Sequence, residues 1–166
     1  MNREERRLIL LRHAKADRHS SAGDHERPLA ERGRTEAPLA GSWLREHGYT
    51  VDRVMCSTAA RARRTSELVL SEVDDSPGVL FDRRMYDADV GGLLEVVHDL
   101  PDEIRTAVLI AHNPGLQEMV GLLAGEDAEL RTSAIAVLRF RGAWRDADAG
   151  RAALEAVATP RARNGT

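Results

Sequence analysis

The sequence predicts an α/β fold, a three-layer sandwich around a mostly parallel sheet with one antiparallel edge. Three observations carry the prediction. Residues 8–11 (Leu-Ile-Leu-Leu) and 107–111 (Ala-Val-Leu-Ile-Ala) are short, continuous apolar runs of the kind that form strands buried on both faces. Other short apolar runs alternate with longer segments of helical periodicity. Residues 142–150 then leave too little chain between the last two predicted strands for a helical crossover, so that pair reads as a hairpin.

In chain order, the first strand stops abruptly at Arg12 and His13. These side chains fall at a carboxyl end, where open α/β sheets place ligands. Residues 17–27 are polar and read as a loop over that end. Pro28 suits a first helical turn, and Leu29, Ala37, Ala40, Leu44 and His47 keep helical spacing until Gly48 ends it. Residues 53–56 form a second strand. Ser57 and Thr58 are good N-caps for a helix over 59–71. Asp74-Asp75-Ser76-Pro77-Gly78 is a turn cluster, followed by a strand at 79–81 and a helix over 89–100 that Pro101 stops. The run at 107–111 also ends in a histidine, His112. Asn113-Pro114 reads as an N-cap and first-turn proline before a helix carrying Leu116, Met119, Val120 and Leu123. Residues 133–140 and 152–158 complete the strands. One domain is expected over 1–158, with a frayed tail over 159–166.

Composition excludes several classes. A net charge of −3 supplies no global basic field, and 4 % aromatic residues are too few for a base-stacking platform, so nucleic acid is not an expected partner. Cys56 stands alone, which rules out an internal disulfide or a cysteine zinc cluster. The apolar run behind the polar N-terminus is too short for a signal peptide or membrane span. The chain is therefore expected to be soluble and cytoplasmic, with no membrane partner. Its basic residues are arginine except Lys15, which coding bias explains as readily as function.

Three predicted strand ends carry polar chemistry: Arg12-His13, Ser57 through Arg61, and His112-Asn113. In a parallel sheet they share one rim. At the second and third, a helix N-terminus follows at once and favours an anion. Taken singly, Arg61 reads as part of a solvated face with Arg63 and Arg64, and His112 as a satisfied buried histidine. Together they describe a dianion site that suits phosphate. No P-loop motif is present, and Cys56 lies one residue too close to Arg61 for a cysteine-phosphatase loop. Asp87-Ala88-Asp89-Val90 imitates an aspartyl-phosphatase motif, but Asp82-Arg83-Arg84 separates it from its strand. No third ligand has convincing spacing for a metal shared by the two histidines.

Leu11-Arg12-His13-Ala14 resembles the Arg-His-Gly signature of the histidine phosphatase (phosphoglycerate mutase-like) superfamily. Ser57-Thr58-Ala59-Ala60-Arg61-Ala62-Arg63-Arg64-Thr65 resembles its Ser-Pro-x-x-Arg-Ala-x-x-Thr element, and Ile110-Ala111-His112-Asn113-Pro114 the strand bearing its second histidine. Glu26-Arg27-Pro28-Leu29-Ala30-Glu31-Arg32-Gly33 is similar to the Arg-Pro-Leu-x-x-x-Gly stretch of the small SixA-type phosphohistidine phosphatases, and Thr132-Ser133-Ala134-Ile135-Ala136 echoes their late strand.

The resemblance implies a phosphoglycerate mutase-like fold with His13 as the nucleophile and Arg12, Arg61 and His112 holding the phosphoryl oxygens. Ser57 and Asn113 are carried as substrate-binding candidates. Arg27 could add a guanidinium from its loop over the rim, or simply form a salt bridge. Two arginines stabilise a transferring phosphoryl group without a metal or other cofactor, and their field keeps His13 neutral. Ala14 stands where the family has glycine, a change tolerated at negative φ. The family's acidic proton donor has no secure counterpart; Asp87 is nearest in chain order and Asp17 is second. Its absence matters less for phosphohistidine than for an alkyl ester, because imidazole is the better leaving group. The expected substrate is phosphohistidine in a partner protein. A small phosphomonoester, or a weakly catalytic phospho-ligand binding module, is the alternative.

Overall fold

The structure, a computed structural model, describes residues 5–161. Six strands, β1 (Glu5–Arg12), β2 (Arg53–Ser57), β3 (Val79–Asp82), β4 (Thr106–Ala111), β5 (Ile135–Arg141) and β6 (Ala152–Ala158), form one sheet in the order β3-β2-β4-β1-β5-β6. The first four are mutually parallel; β5 runs antiparallel to β1, and β6 antiparallel to β5. This is the predicted sandwich with its antiparallel edge. The helices are α1 (Glu31–Glu46), α2 (Ala60–Leu70), α3 (Val90–His98) and α4 (Gly115–Ala124).

The continuous apolar run of β1 follows from having a core on each side. Leu8 and Leu10 pack with Leu93, Val97, Leu116 and Val120 of α3 and α4, whereas Ile9 and Leu11 pack with Ala37, Ala40, Leu44 and Val69 of α1 and α2. All four β1 residues are fully buried. Each such side chain contributes about 1.5–3 kcal/mol relative to exposure.

Three local expectations shift. Pro28 lies ahead of α1: its carbonyl accepts from Asp17 N–H (2.8 Å), and Ala16 bridges Leu29, which is buried. That pairing closes the 17–27 loop over the sheet and delays the helix to Glu31. The N-cap of α2 is Ala59, with Ser57 Oγ accepting its N–H. The N-cap of α4 is Pro114, joined to Asn113 by a cis peptide bond. At the other end of the chain, Thr159, Pro160 and Arg161 are not frayed. Arg161 donates to Thr132 O (3.0 Å) and pairs with buried Glu36 (3.1 Å). The rest of the predicted tail, 162–166, lies outside the described residues. No described helix is long and apolar enough to cross a membrane.

Candidate active site

Because β2, β4 and β1 are parallel neighbours, their carboxyl ends place Ser57, His112 and Arg12-His13 on one rim, and α2 adds Arg61 from its first turn. Arg12, His13, Arg61 and His112 surround a cavity of about 330 Å³ that Lys15, Arg18, Asp24, Arg27, Asp87 and Thr132 also line. His13 and His112 face each other with ring centroids 5.1 Å apart.

His13 continues the ladder by one residue, its N–H donating to Ala111 O (3.1 Å). Its Nδ1 lies 2.7 Å from Ala14 O. A carbonyl only accepts, so Nδ1 carries the proton and Nε2 keeps its lone pair. Burial pushes the His13 pKa down to about 3; the Ala14 carbonyl is the chief opposing influence, and His112, Arg61 and Arg12 add smaller downward contributions. The ring is neutral near pH 7. Ala14 is absent from the positive-φ residues, so its methyl is accommodated. Its N–H donates to Thr65 Oγ1 (2.9 Å), whose hydroxyl donates to Arg61 O (2.7 Å). Thr65 thereby ties the first turn of α2 to the histidine loop.

His112 Nε2 lies 2.7 Å from Ser57 Oγ. Ala59 N–H donates to that oxygen, and among the described residues Nε2 is the one acceptor within reach of its hydroxyl proton, so the hydroxyl donates to Nε2 and the imidazole proton resides on Nδ1. Burial, then Arg61, lowers the His112 pKa to about 4, with Asp24 and Asp87 opposing. Ser57 is fully buried and does not line the cavity; it stands behind His112 rather than in contact with a substrate.

The guanidiniums are held by fixed acceptors. Arg12 donates to Leu130 O (3.0 Å), which also accepts from Asn113 Nδ2 (2.7 Å). Arg61 donates to Asp24 O (2.7 Å) and Asp24 Oδ2 (3.3 Å), while Arg27 reaches Asp24 Oδ1 (3.1 Å). Arg27 therefore forms the salt bridge and lines the cavity at once. Tyr86 OH donates to Asp24 Oδ2 (2.6 Å); this bond, with the charges of Arg61 and Arg27, holds the Asp24 carboxyl below its ordinary range. Among the described residues, three buried N–H groups on cavity-lining residues find no partner, Arg12 Nε, Arg61 Nε and His112 Nδ1, against one acceptor, Asn113 Oδ1. A ligand that satisfies them must be acceptor-rich. A phosphoryl group is.

Of the two acid candidates, Asp87 lines the cavity with φ 53°. Asp17 does not line it; its Oδ1 accepts from His19 N–H within its own loop. Asp24 and Tyr86 escaped the sequence reading. Asp24 stands three residues before Arg27 in a polar loop, a placeable signal once that loop lies over the rim, whereas Tyr86 carried none. The aspartyl-nucleophile alternative loses its geometry, since β3 ends at Asp82 and a 3-10 turn over Arg83–Met85 separates Asp87 from it, while Asp89 caps α3 by accepting from Gly92 N–H (2.9 Å). Burial pushes the Cys56 thiol up to about 12, which leaves it unreactive. Among the described residues, no three His, Cys, Asp or Glu side chains are grouped as a metal would need.

Comparison with known proteins agrees with this geometry. Residues 8–115 match the family model of the histidine phosphatase superfamily (branch 1). An uncharacterized protein of Mycobacterium tuberculosis is 38 % identical over 162 residues, 91 % of this chain and all of that one. A structure described as a candidate phosphohistidine phosphatase SixA from Nakamurella multipartitia superposes with TM-score 0.83 at 34 % identity, covering 95 % of this chain and 98 % of the other. The protein histidine phosphatase SixA complexed with tungstate gives 0.81 at 25 % identity, covering 93 % and 97 %.

Proposed function

The chain belongs to the histidine phosphatase superfamily and is an enzyme of that phosphatase type, and from this premise we propose that it hydrolyses phosphohistidine in a partner protein through a phospho-His13 intermediate, without a metal. The observation that carries the proposal is the neutral His13 ring, proton anchored on Ala14 O and Nε2 free, beside three unpartnered buried N–H donors.

In the first step the Nε2 lone pair of His13 forms a bond to phosphorus as the phosphorus–nitrogen bond of the substrate breaks. The departing electron pair returns to the substrate imidazole, which takes a proton from solvent. Arg12, Arg61 and His112 Nδ1–H stabilise the equatorial oxygens, the main protein contribution to phosphoryl transfer. The Ala14 carbonyl stabilises the positive charge that the ring gains. Water then attacks the phosphorus, loses a proton to solvent, and restores His13 with release of phosphate.

The substrate class rests on two supports. The SixA-type neighbours are described as phosphohistidine phosphatases. The cavity lining is almost wholly charged or polar, with Ala16 its one apolar side chain, so it offers a phosphoryl group contacts but gives little apolar surface to the rest of a small ligand. Asp87 on the wall favours a second reading, a small phosphomonoesterase whose alkoxide leaving group it could protonate. Purified protein assayed in EDTA against a phosphohistidine protein and a panel of sugar phosphates and phosphoglycerates separates the two. The expected result is a kcat/KM well above the panel for the phosphohistidine protein, with an acid-labile phosphoenzyme. Faster turnover of one metabolite favours the second reading, and a requirement for Mg²⁺ overturns the phospho-His13 route.

A further inference from the structure

We infer that Lys15 and Arg18 form an outer anion subsite that reads an acidic residue flanking the phosphohistidine of the substrate protein. The inference rests on the phosphohistidine reading above. Five cationic side chains line the cavity (Arg12, Lys15, Arg18, Arg27 and Arg61) against two carboxylates, Asp24 and Asp87, and both histidines are neutral. The excess of three positive charges is one more than a dianionic phosphoryl group offsets. This excess gathers in a chain whose net charge is −3.

The five fall into two groups. Arg12, Arg27 and Arg61 are tied to Leu130 O or to Asp24. The side chains of Lys15 and Arg18 have no hydrogen bond or ion pair among the described residues. Lys15 is also the sole lysine of the chain, and its backbone is fixed. Its carbonyl accepts from Ala30 N–H (2.9 Å) and packs on Gly33, where a Cβ would come within 2.2 Å of that oxygen. An unpaired ammonium therefore springs from a fixed point two residues past His13, and the exposed Arg18 guanidinium extends the charge outward. A carboxylate beside the phosphorylated side chain meets both, as would the carboxylate or second phosphate of a small ester.

The test compares paired substrates: two phosphohistidine peptides differing only in a flanking Glu or Ala, and phosphoglycerate against p-nitrophenyl phosphate. Wild type should favour the Glu peptide by about 5- to 10-fold in kcat/KM, mainly through KM, with the ratio shrinking as salt rises. In the Lys15→Met/Arg18→Ala double variant the ratio should fall to within about twofold. Arg105→Ala, which removes an exposed cation remote from the cavity, should keep it, separating a local subsite from a general field. Absence of a preference in wild type, or a ratio unchanged in the double variant, overturns the subsite. A preference confined to the small esters overturns the protein source. Turnover of the Ala peptide that His13→Ala abolishes, with no Glu preference, leaves the phosphatase reading standing alone; no turnover of either peptide ends both.

Discussion

At the amino ends of the strands, Arg7, His47, Tyr49, Thr106 and Glu155 line a cavity of about 440 Å³; at the carboxyl ends, the cavity around His13 holds about 330 Å³. The larger one is electrostatically closed. Glu155 accepts from Arg7 Nε on both oxygens (3.0 Å each) and from Tyr49 OH (2.7 Å), with Arg139 at 3.5 Å. The smaller one keeps an excess of cations and three buried N–H donors without partners. Volume does not separate a ligand site from a structural gap; polar groups that the chain itself leaves unsatisfied do.

The largest expected effect tests that contrast directly. His13→Ala should abolish acid-labile phosphorylation of the protein and lower turnover by about 10³-fold or more. His47→Ala, beside the other cavity, should leave turnover within about twofold. Next, Arg12→Ala and Arg61→Ala should each lower kcat/KM by roughly 10²-fold or more, the scale for losing a preorganised donor. Vanadate, a mimic of five-coordinate phosphorus, should bind both variants more weakly. Equal vanadate affinity in wild type and Arg61→Ala would make that side chain a structural partner of Asp24 and nothing more.

Ser57→Ala comes third, at about tenfold in kcat/KM. Without the hydroxyl, nothing holds the His112 proton on Nδ1, and the competing tautomer turns a lone pair toward a phosphoryl oxygen. ¹⁵N shifts of His112 should report the exchange of tautomers, a signature that mere loss of packing would not produce.

The carboxyl-end site was largely legible in the sequence because its parts are local to strand ends. An apolar run that stops at Arg12-His13, and another at His112, place both histidines once the strands are parallel. Arg61 follows from its position in the first turn of α2. What escaped was long-range: Tyr86 meets Asp24 only because the segment after β3 and the 17–27 loop both cover the rim. Ser57 was recognised as part of the motif, but as a substrate contact; its depth behind His112 follows from packing, which spacing does not encode. The closed cavity at the amino ends left no trace in the sequence reading, since Arg7, Tyr49 and Glu155 come from distant segments and meet only in the assembled sheet.

The two ends should also respond differently to acid. His13 and His112 have folded pKa values near 3 and 4, below the ordinary 6.5, so the unfolded chain binds more protons between those limits. Their neutral burial therefore costs nothing above about pH 6.5, and stability falls as pH drops from there toward 4. Denaturant unfolding at pH 7, 6, 5 and 4 should trace this loss, which is expected to be on the order of a few kcal/mol. In His13→Gln the acid slope should flatten. NMR should find both rings neutral at pH 5; a midpoint near 6.5 for either would show that it is solvated.

The smallest effect on activity belongs to Glu155→Gln, and it probes the amino-end cavity. Burial raises the Glu155 pKa, but the Tyr49 and Arg7 hydrogen bonds and the charges of Arg7 and Arg139 outweigh it, leaving the carboxyl below its ordinary range. Its contribution is thus present at neutral pH and lost as pH falls through that lowered value. The amide keeps the shape and one acceptor but removes the charge, so Arg7 and Arg139 face each other with weaker compensation. The expected cost is about 1 kcal/mol of unfolding free energy at pH 7, a modest figure because the group is partly exposed. Tyr49, whose phenol burial and then the Glu155 hydrogen bond push up to about 12, should titrate closer to 10 in the variant. Turnover should stay within about twofold, because no group of this cavity reaches the carboxyl rim. A larger loss of kcat/KM, with the His13 and His112 tautomers unchanged, would mean that the two ends are coupled through β1, where Arg7 and Arg12 share one strand.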